Sequence, residues 1–182
     1  GCVALDGRGL LLCGASGAGK STLTYACARA GFTYVGDDVS SLLRGGQSCL
    51  VVGKPFQFRF RDTAPSLFPE LRAFMPSLAL SGKPSIEIKT EELAAIRTAV
   101  SCEAECLVFL SRQPISAPSL SPVQPDDARR RLQADLAVLE PRAWSEQCVS
   151  LTKLAAKPAF ELCYSDLSRA VACLERLLTD GC

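Results

Sequence analysis

Apolar and polar positions fall into blocks with two different periods along the chain. Two short apolar runs, Cys2–Leu5 and Leu10–Cys13, flank Asp6-Gly7-Arg8-Gly9 and predict a β-hairpin. A Gly-rich stretch then opens an Ala-rich segment, Ser21 to Ala30, that predicts a helix stopped by Gly31. Phe32-Thr33-Tyr34-Val35 is aromatic and β-branched, predicting a strand that runs into Gly36-Asp37-Asp38. Val39–Leu43 and Ser48–Val52 predict strands around a Gly45-Gly46 turn. Phe56 to Arg61 alternates apolar and polar residues, the mark of a half-exposed strand.

The second half is less regular. Residues 62–84 are rich in Pro and Ser and predict a surface excursion with a short helix near Pro69–Phe74. Ser85–Ile88 predicts a strand, and a brief helix starts at Thr90. Cys106–Leu110 is wholly apolar, as a strand buried on both faces should be. Residues 113–125 hold four prolines and predict a loop. Asp126–Leu139 predicts a helix with two acids at its positive end and Leu132, Leu136 and Leu139 on one face. No element is assigned between Leu139 and Ala159. Ala159–Tyr164 predicts a last strand, and Ser165–Thr179 a closing helix with Leu167, Val171, Leu174 and Leu178 at helical spacing. Ser165 or Asp166 caps it. The mixture predicts an α/β protein with a mixed sheet and flanking helices.

A length of 182 residues predicts one domain spanning 1–182. With 48% apolar and 21% charged residues there is enough apolar surface for a full core. The formal net charge is +1, so no global basic field draws the protein to nucleic acid or to an anionic membrane. No apolar run is long enough to span a bilayer, and no signal peptide is legible, which predicts a cytoplasmic protein. The 10 cysteines include no CxxC pair and several sit inside apolar runs. They read as reduced, buried small hydrophobes. Histidine is absent. That excludes Ser-His-Asp and Cys-His catalysis, an HExxH zinc site and an imidazole proton shuttle within this chain. A first residue of Gly rather than Met predicts a processed start, or a piece whose N-terminal part lies elsewhere.

One motif carries the chemistry. Gly14-Ala15-Ser16-Gly17-Ala18-Gly19-Lys20-Ser21 fits GxxxxGK[ST], with an apolar strand before it and a helix after it. The glycines let successive backbone N–H groups curl around phosphate oxygens, and the helix N-terminus adds partial positive charge. Lys20 reaches the β- and γ-phosphates of ATP, the Ser21 hydroxyl ligates Mg²⁺, and Thr22 continues the loop's polar edge. A carboxylate partner is required. The buried strand Cys106–Leu110 runs into Ser111-Arg112 and supplies none. Asp37-Asp38 lies sixteen residues past Ser21, after the next predicted strand. A strand returning beside the first brings both acids near the γ-phosphate. One then serves the metal and the other accepts a proton from an attacking hydroxyl, a role that cannot fall to histidine here.

These residues resemble the catalytic domain of bacterial HPr kinase/phosphorylase. They are still more similar to the related serine kinases, some of which modify peptides. The resemblance rests on Gly14–Ser21, Gly31 and Asp37-Asp38, and in looser pattern on the opening hairpin and the closing strand and helix. It implies a phosphate-loop fold similar to ATP-dependent phosphoenolpyruvate carboxykinase and transfer from Mg-ATP to a serine of a protein or peptide. It also implies Lys20 on phosphate, Ser21 and Asp37 on magnesium and Asp38 as proton acceptor. The bifunctional family is hexameric, which implies a homo-oligomer. Further positive charge for the transferring phosphoryl group is available from Arg59, Arg61, Lys83 and Arg112. Of these, Arg59 follows Lys54-Pro55, where related kinases carry a basic residue. Arg129-Arg130-Arg131 reads as a solvated helix face, and Glu87 as a surface acid with some reach toward magnesium. Two alternatives stand beside the serine kinase: a small-molecule kinase of the shikimate-kinase type, and an ATP-binding regulatory module without transfer activity.

Overall fold

The computed structural model describes residues 1–37, 41–43, 48–78, 84–93, 95–134 and 141–181. Strands β1 (Cys2–Leu5) and β2 (Arg8–Cys13) form the expected hairpin, in register Leu5↔Arg8 across a two-residue Asp6-Gly7 turn. Helix α1 (Lys20–Arg29) follows the Gly-rich loop, and β3 (Thr33–Gly36) returns to the sheet. It pairs antiparallel with β1. The hairpin's first strand therefore stands between β2 and β3.

Next come β4 (Ser41–Leu42) and β5 (Leu50–Val52), which pair with each other. Residues 39–40 and the Gly45-Gly46 turn lie outside the described residues. Strands β6 (Gln57–Arg61), β7 (Ser77–Leu78) and β8 (Pro84–Lys89) form a small separate sheet in the order β6-β8-β7. The segment between β6 and β7 runs over the surface as its prolines predict, with the expected short helix present as a 3₁₀ turn, and it is anchored at three points. Short 3₁₀ turns at Ala64–Ser66 and Pro69–Ala73 bury Ala64, Phe68 and Leu71 against the small sheet.

The main sheet is completed by β9 (Arg97–Thr98), β10 (Ser101–Arg112), β11 (Ser119–Pro122) and, later in the chain, β12 (Ala159–Tyr164). Among the described residues its order is β11-β12-β10-β2-β1-β3-β9, with β5 on the early part of β10. Strand β11 falls inside residues 113–125, which the prolines mark as loop. It forms because it is an edge, where Pro122 has no ladder donor to forfeit. Helix α2 (Pro125–Ala134) carries Asp126 and Asp127 in its first turn; the expected positions Leu136 and Leu139 lie outside the described residues. Helix α3 (Pro141–Ala155) fills the stretch left unassigned and buries Leu151, Leu154 and Ala155. Helix α4 (Leu167–Asp180) closes the chain. Asp166 is its cap, accepting from the Arg169 N–H at 2.8 Å.

Strand β10 shows why its run is apolar throughout. Cys106, Val108 and Leu110 face α1 and α4, whereas Leu107 and Phe109 face α2 and α3. A bulge between Ala104 and Cys106 shifts the register, so Ala104 and Cys106 sit on opposite faces despite even spacing. Helix α1 is shared in the same way. Leu23 and Cys27 pack on the main sheet, while Tyr25 and Ala28 pack on the small one. The Tyr25 ring meets Phe58, Phe60 and Phe68 edge-on at 5.1, 5.1 and 4.8 Å. The small sheet is thereby pinned against the helix that follows the Gly-rich loop. No disulfide occurs among the nine described cysteines, and the buried Cys2 and Cys102 thiols lie 3.4 Å apart.

Candidate functional site

The Gly-rich loop leaves β2 at Cys13 and enters α1 at Lys20. Its shape depends on positive φ at its glycines, Gly14, Gly17 and Gly19. Gly17 has φ +90° and Gly19 φ +95°, values that other L-residues rarely adopt. Gly19 is also sterically bare. A Cβ there would stand 2.5 Å from the Tyr164 hydroxyl, which itself donates to the Ala18 carbonyl at 3.4 Å. Burial pushes the Tyr164 phenol above its ordinary value, against a smaller opposing pull from Arg112, so the hydroxyl stays a donor. The Lys20 ammonium folds back and donates to the Gly14 and Ala15 carbonyls at 2.6 and 3.0 Å. The Ala18 N–H donates to the Ala15 carbonyl at 3.1 Å and tightens the loop.

A cleft of about 400 Å³ opens over this loop. Its floor is Ser16, Gly17, Gly19, Lys20, Ser21 and Thr22, most of the residues expected to hold phosphate. Gly14, Ala15 and Ala18 lie behind it and act through their carbonyls. The opposite wall comes from the small sheet and the 3₁₀ turn after it: Arg59, Arg61, Thr63, Ala64, Leu67 and Ser85. Arg112, the last residue of β10, closes one side. Among the described residues the lining holds four cationic side chains and no carboxylate. Arg59 is neutralised by Glu87, at 3.2 Å on the paired strand β8. That ion pair is the use this structure makes of Glu87. Lys83 and Asp38 lie outside the described residues.

Asp37 follows β3 directly and is buried, with 6% of its surface exposed. It does not line the cleft. Since β1 separates β3 from β2, the end of β3 stands two strand spacings, roughly 10 Å, from the end of β2. Asp37 thus follows a strand that is not the immediate neighbour of the loop strand. Among the described residues no three acidic or thiol side chains cluster to hold a metal. The triple arginine of α2 behaves as a solvated face. Arg129 and Arg130 pair with Asp126 and Asp127 one turn back, and Arg131 reaches Glu161 at 3.0 Å while covering the Phe109 ring.

Sequence reasoning misses Tyr164 altogether, because only the pairing of β12 with β10 brings it to Gly19. The signal for Thr63, Ala64 and Leu67 is weak: a Pro/Ser-rich connection beside a rigid scaffold.

The class these observations define is a mixed α/β protein with a strand–Gly-rich-loop–helix unit built on the middle strand of its main sheet. Its fold resembles, among solved structures, the Hpr(Ser) kinase/phosphatase from Coxiella burnetii, with a TM-score of 0.46 and 16% identity over 99% of this chain and 95% of that chain. No family model matches the sequence, and no curated protein matches it. No helix among the described residues is long and apolar enough to cross a membrane.

Proposed function

We propose that this protein is a Mg-ATP-dependent phosphotransferase that moves the γ-phosphoryl group to a hydroxyl, with a serine of a protein or peptide as the acceptor. The observation that carries the reading is the cleft. Lys20 and Ser21 form its floor at the N-terminus of α1, and no acid lines it among the described residues. Such a site suits a polyphosphate, since loop amides, the helix N-terminus and an ammonium all favour negative charge. The motif's resemblance to the serine kinases supports the choice of acceptor.

Chemically, the acceptor oxygen forms a bond to the γ-phosphorus as the bond to the β–γ bridging oxygen breaks. ADP leaves with that electron pair. The acceptor proton passes to a carboxylate, the role assigned to Asp38. Lys20 exchanges its loop carbonyls for phosphate oxygens and holds the triphosphate in line. Ser21, on the cleft floor, is a hard oxygen donor of the kind magnesium takes and would hold the ion; Asp37, which stands outside the cleft, would serve it through a water that the ion retains. Bound there, magnesium would neutralise charge on the phosphates.

The test is transfer from γ-labelled ATP to serine peptides, with Asp38→Asn and Lys20→Ala as comparisons. Label on a seryl oxygen, lost in Asp38→Asn, supports the reading. Lys20→Ala should weaken Mg-ATP binding about tenfold or more, the loss of charge-assisted bonds to phosphate. Label on a small hydroxylated acid but on no peptide would point to a small-molecule kinase. ATP binding with no transfer to any acceptor would leave a nucleotide-binding regulatory module.

A further inference from the structure

Two arginines in the cleft wall are more than a phosphate loop requires. Strand β6 alternates, with Phe58 and Phe60 in the core and Arg59 and Arg61 on the other face. Arg59 is balanced by Glu87. Arg61 is not balanced: among the described residues no carboxylate pairs with it, and its guanidinium hangs over the loop. Its Nη2 stands 3.4 Å from where a Gly17 Cβ would lie. Arg112 is likewise without an acidic partner among the described residues. It approaches from the other direction. Phe109 pairs with Cys13, so β10 runs three residues past the last paired level of β2 and delivers Arg112 on the side away from β3. Lys20 and the α1 N-terminus already supply positive charge to the nucleotide phosphates. Two further guanidiniums in one cleft, neither with an acidic partner among the described residues, repel each other, and a neutral seryl hydroxyl does nothing to relieve that.

We infer that Arg61 and Arg112 form an oxyanion subsite for the acceptor, so that the acceptor hydroxyl is presented by a molecule carrying a carboxylate or phosphate close to it. The inference rests on the phosphotransferase reading above. Guanidinium is suited to this task because its planar donors engage either oxyanion in bidentate fashion. For a peptide substrate the subsite selects an acidic or phosphorylated residue beside the serine.

The experiment fills the loop first and then probes the subsite. Wild-type protein is titrated calorimetrically with Mg-AMPPNP, a non-hydrolysable ATP analogue. The saturated complex is then titrated separately with inorganic phosphate and with malonate. The expected result is that one of the two anions binds the loaded protein. Arg61→Gln and Arg112→Gln should each weaken that binding about tenfold or more while leaving Mg-AMPPNP affinity unchanged. Preference for phosphate identifies a phosphorylated acceptor, and preference for malonate a carboxylated one. If neither anion binds the loaded protein, the subsite is refuted. It is equally refuted if either arginine variant weakens Mg-AMPPNP as much as Lys20→Ala does, since the arginines then serve the nucleotide. Failure of wild-type protein to bind Mg-AMPPNP would instead overturn the phosphotransferase reading, and the first titration separates the two failures. Both side chains are exposed, so the variants should keep the fold, and unchanged thermal unfolding verifies this.

Discussion

Replacing Gly19 with alanine tests the loop geometry at a single atom. The new Cβ would have to adopt φ +95° and would stand 2.5 Å from the Tyr164 hydroxyl, but 3.8 Å from the ring carbon that bears it. The second distance is ordinary van der Waals contact; the first is not. Tyr164 is 1% exposed and walled in by the main core, so it cannot swing away freely. The left-handed backbone costs about 1–2 kcal/mol, and forcing an oversized group into a packed site adds about 1–3 kcal/mol. In a protein of this size each kcal/mol lowers Tm by roughly 2–4 °C, so Gly19→Ala should lose on the order of 10 °C. The double variant Gly19→Ala/Tyr164→Phe removes only the offending oxygen and its long bond to the Ala18 carbonyl. It should recover most of the steric share and none of the backbone share. A double-mutant cycle read by thermal unfolding, with Mg-ATP affinity followed in parallel, measures the coupling. Strictly additive losses in the two single variants would refute the account, because the clash is then not with Tyr164.

Other expectations follow from the packing around α1 and α4. Phe58→Ala removes a ring stacked 3.9 Å from Tyr34 and edge-on to Tyr25, and should cost about 3–5 kcal/mol in urea unfolding. Because this loosens the wall that carries Arg59 and Arg61, the stability loss should come with weaker ligand binding in the cleft. Burial, and secondarily the Glu70 carboxylate that accepts a hydrogen bond from its hydroxyl, push the Tyr25 phenol from 10.0 up to about 12. Between those values the unfolded chain releases the proton while the folded one keeps it, so stability should fall as pH rises from 10 to about 12. Tyr25→Phe should flatten that part of the pH profile. Asp166→Ala removes the cap of α4 and should cost about 1 kcal/mol by thermal unfolding, with Asp166→Ser restoring most of it.

The elements that local patterning discloses are those whose partners are close in sequence or whose burial is two-sided. The hairpin, the Gly-rich loop with α1, the alternating β6, the apolar β10 and the Asp166-capped α4 all belong to this group. Local rules fail where a distant partner overrides them. Pro122 argues against a strand, yet β11 forms because β12 offers it an edge. The prolines of residues 62–84 do mark a largely exposed run, yet Phe68 and Leu71 are drawn under, Phe68 against the rings of Tyr25 and Phe60. Helix α3 does carry a readable signal in Leu151, Leu154 and Ala155, buried at i, i+3 and i+4 spacing, with Leu154 and Ala155 packed in the main-sheet core.

For the site the division is sharper. GxxxxGKS between a strand and a helix is a local device, since its glycine dihedrals, backbone donors and lysine are neighbours along the chain. Its place in the molecule, and the charges that face it, are not local. Strand order decides that β1 separates Asp37 from the loop strand, and that β10 brings Arg112 to the other side. The second sheet decides that Arg59 is balanced by Glu87 while Arg61 is left facing Gly17. Electrostatic balance in a cleft is a sum over residues separated by up to about a hundred positions. That sum takes its value only when the chain is folded.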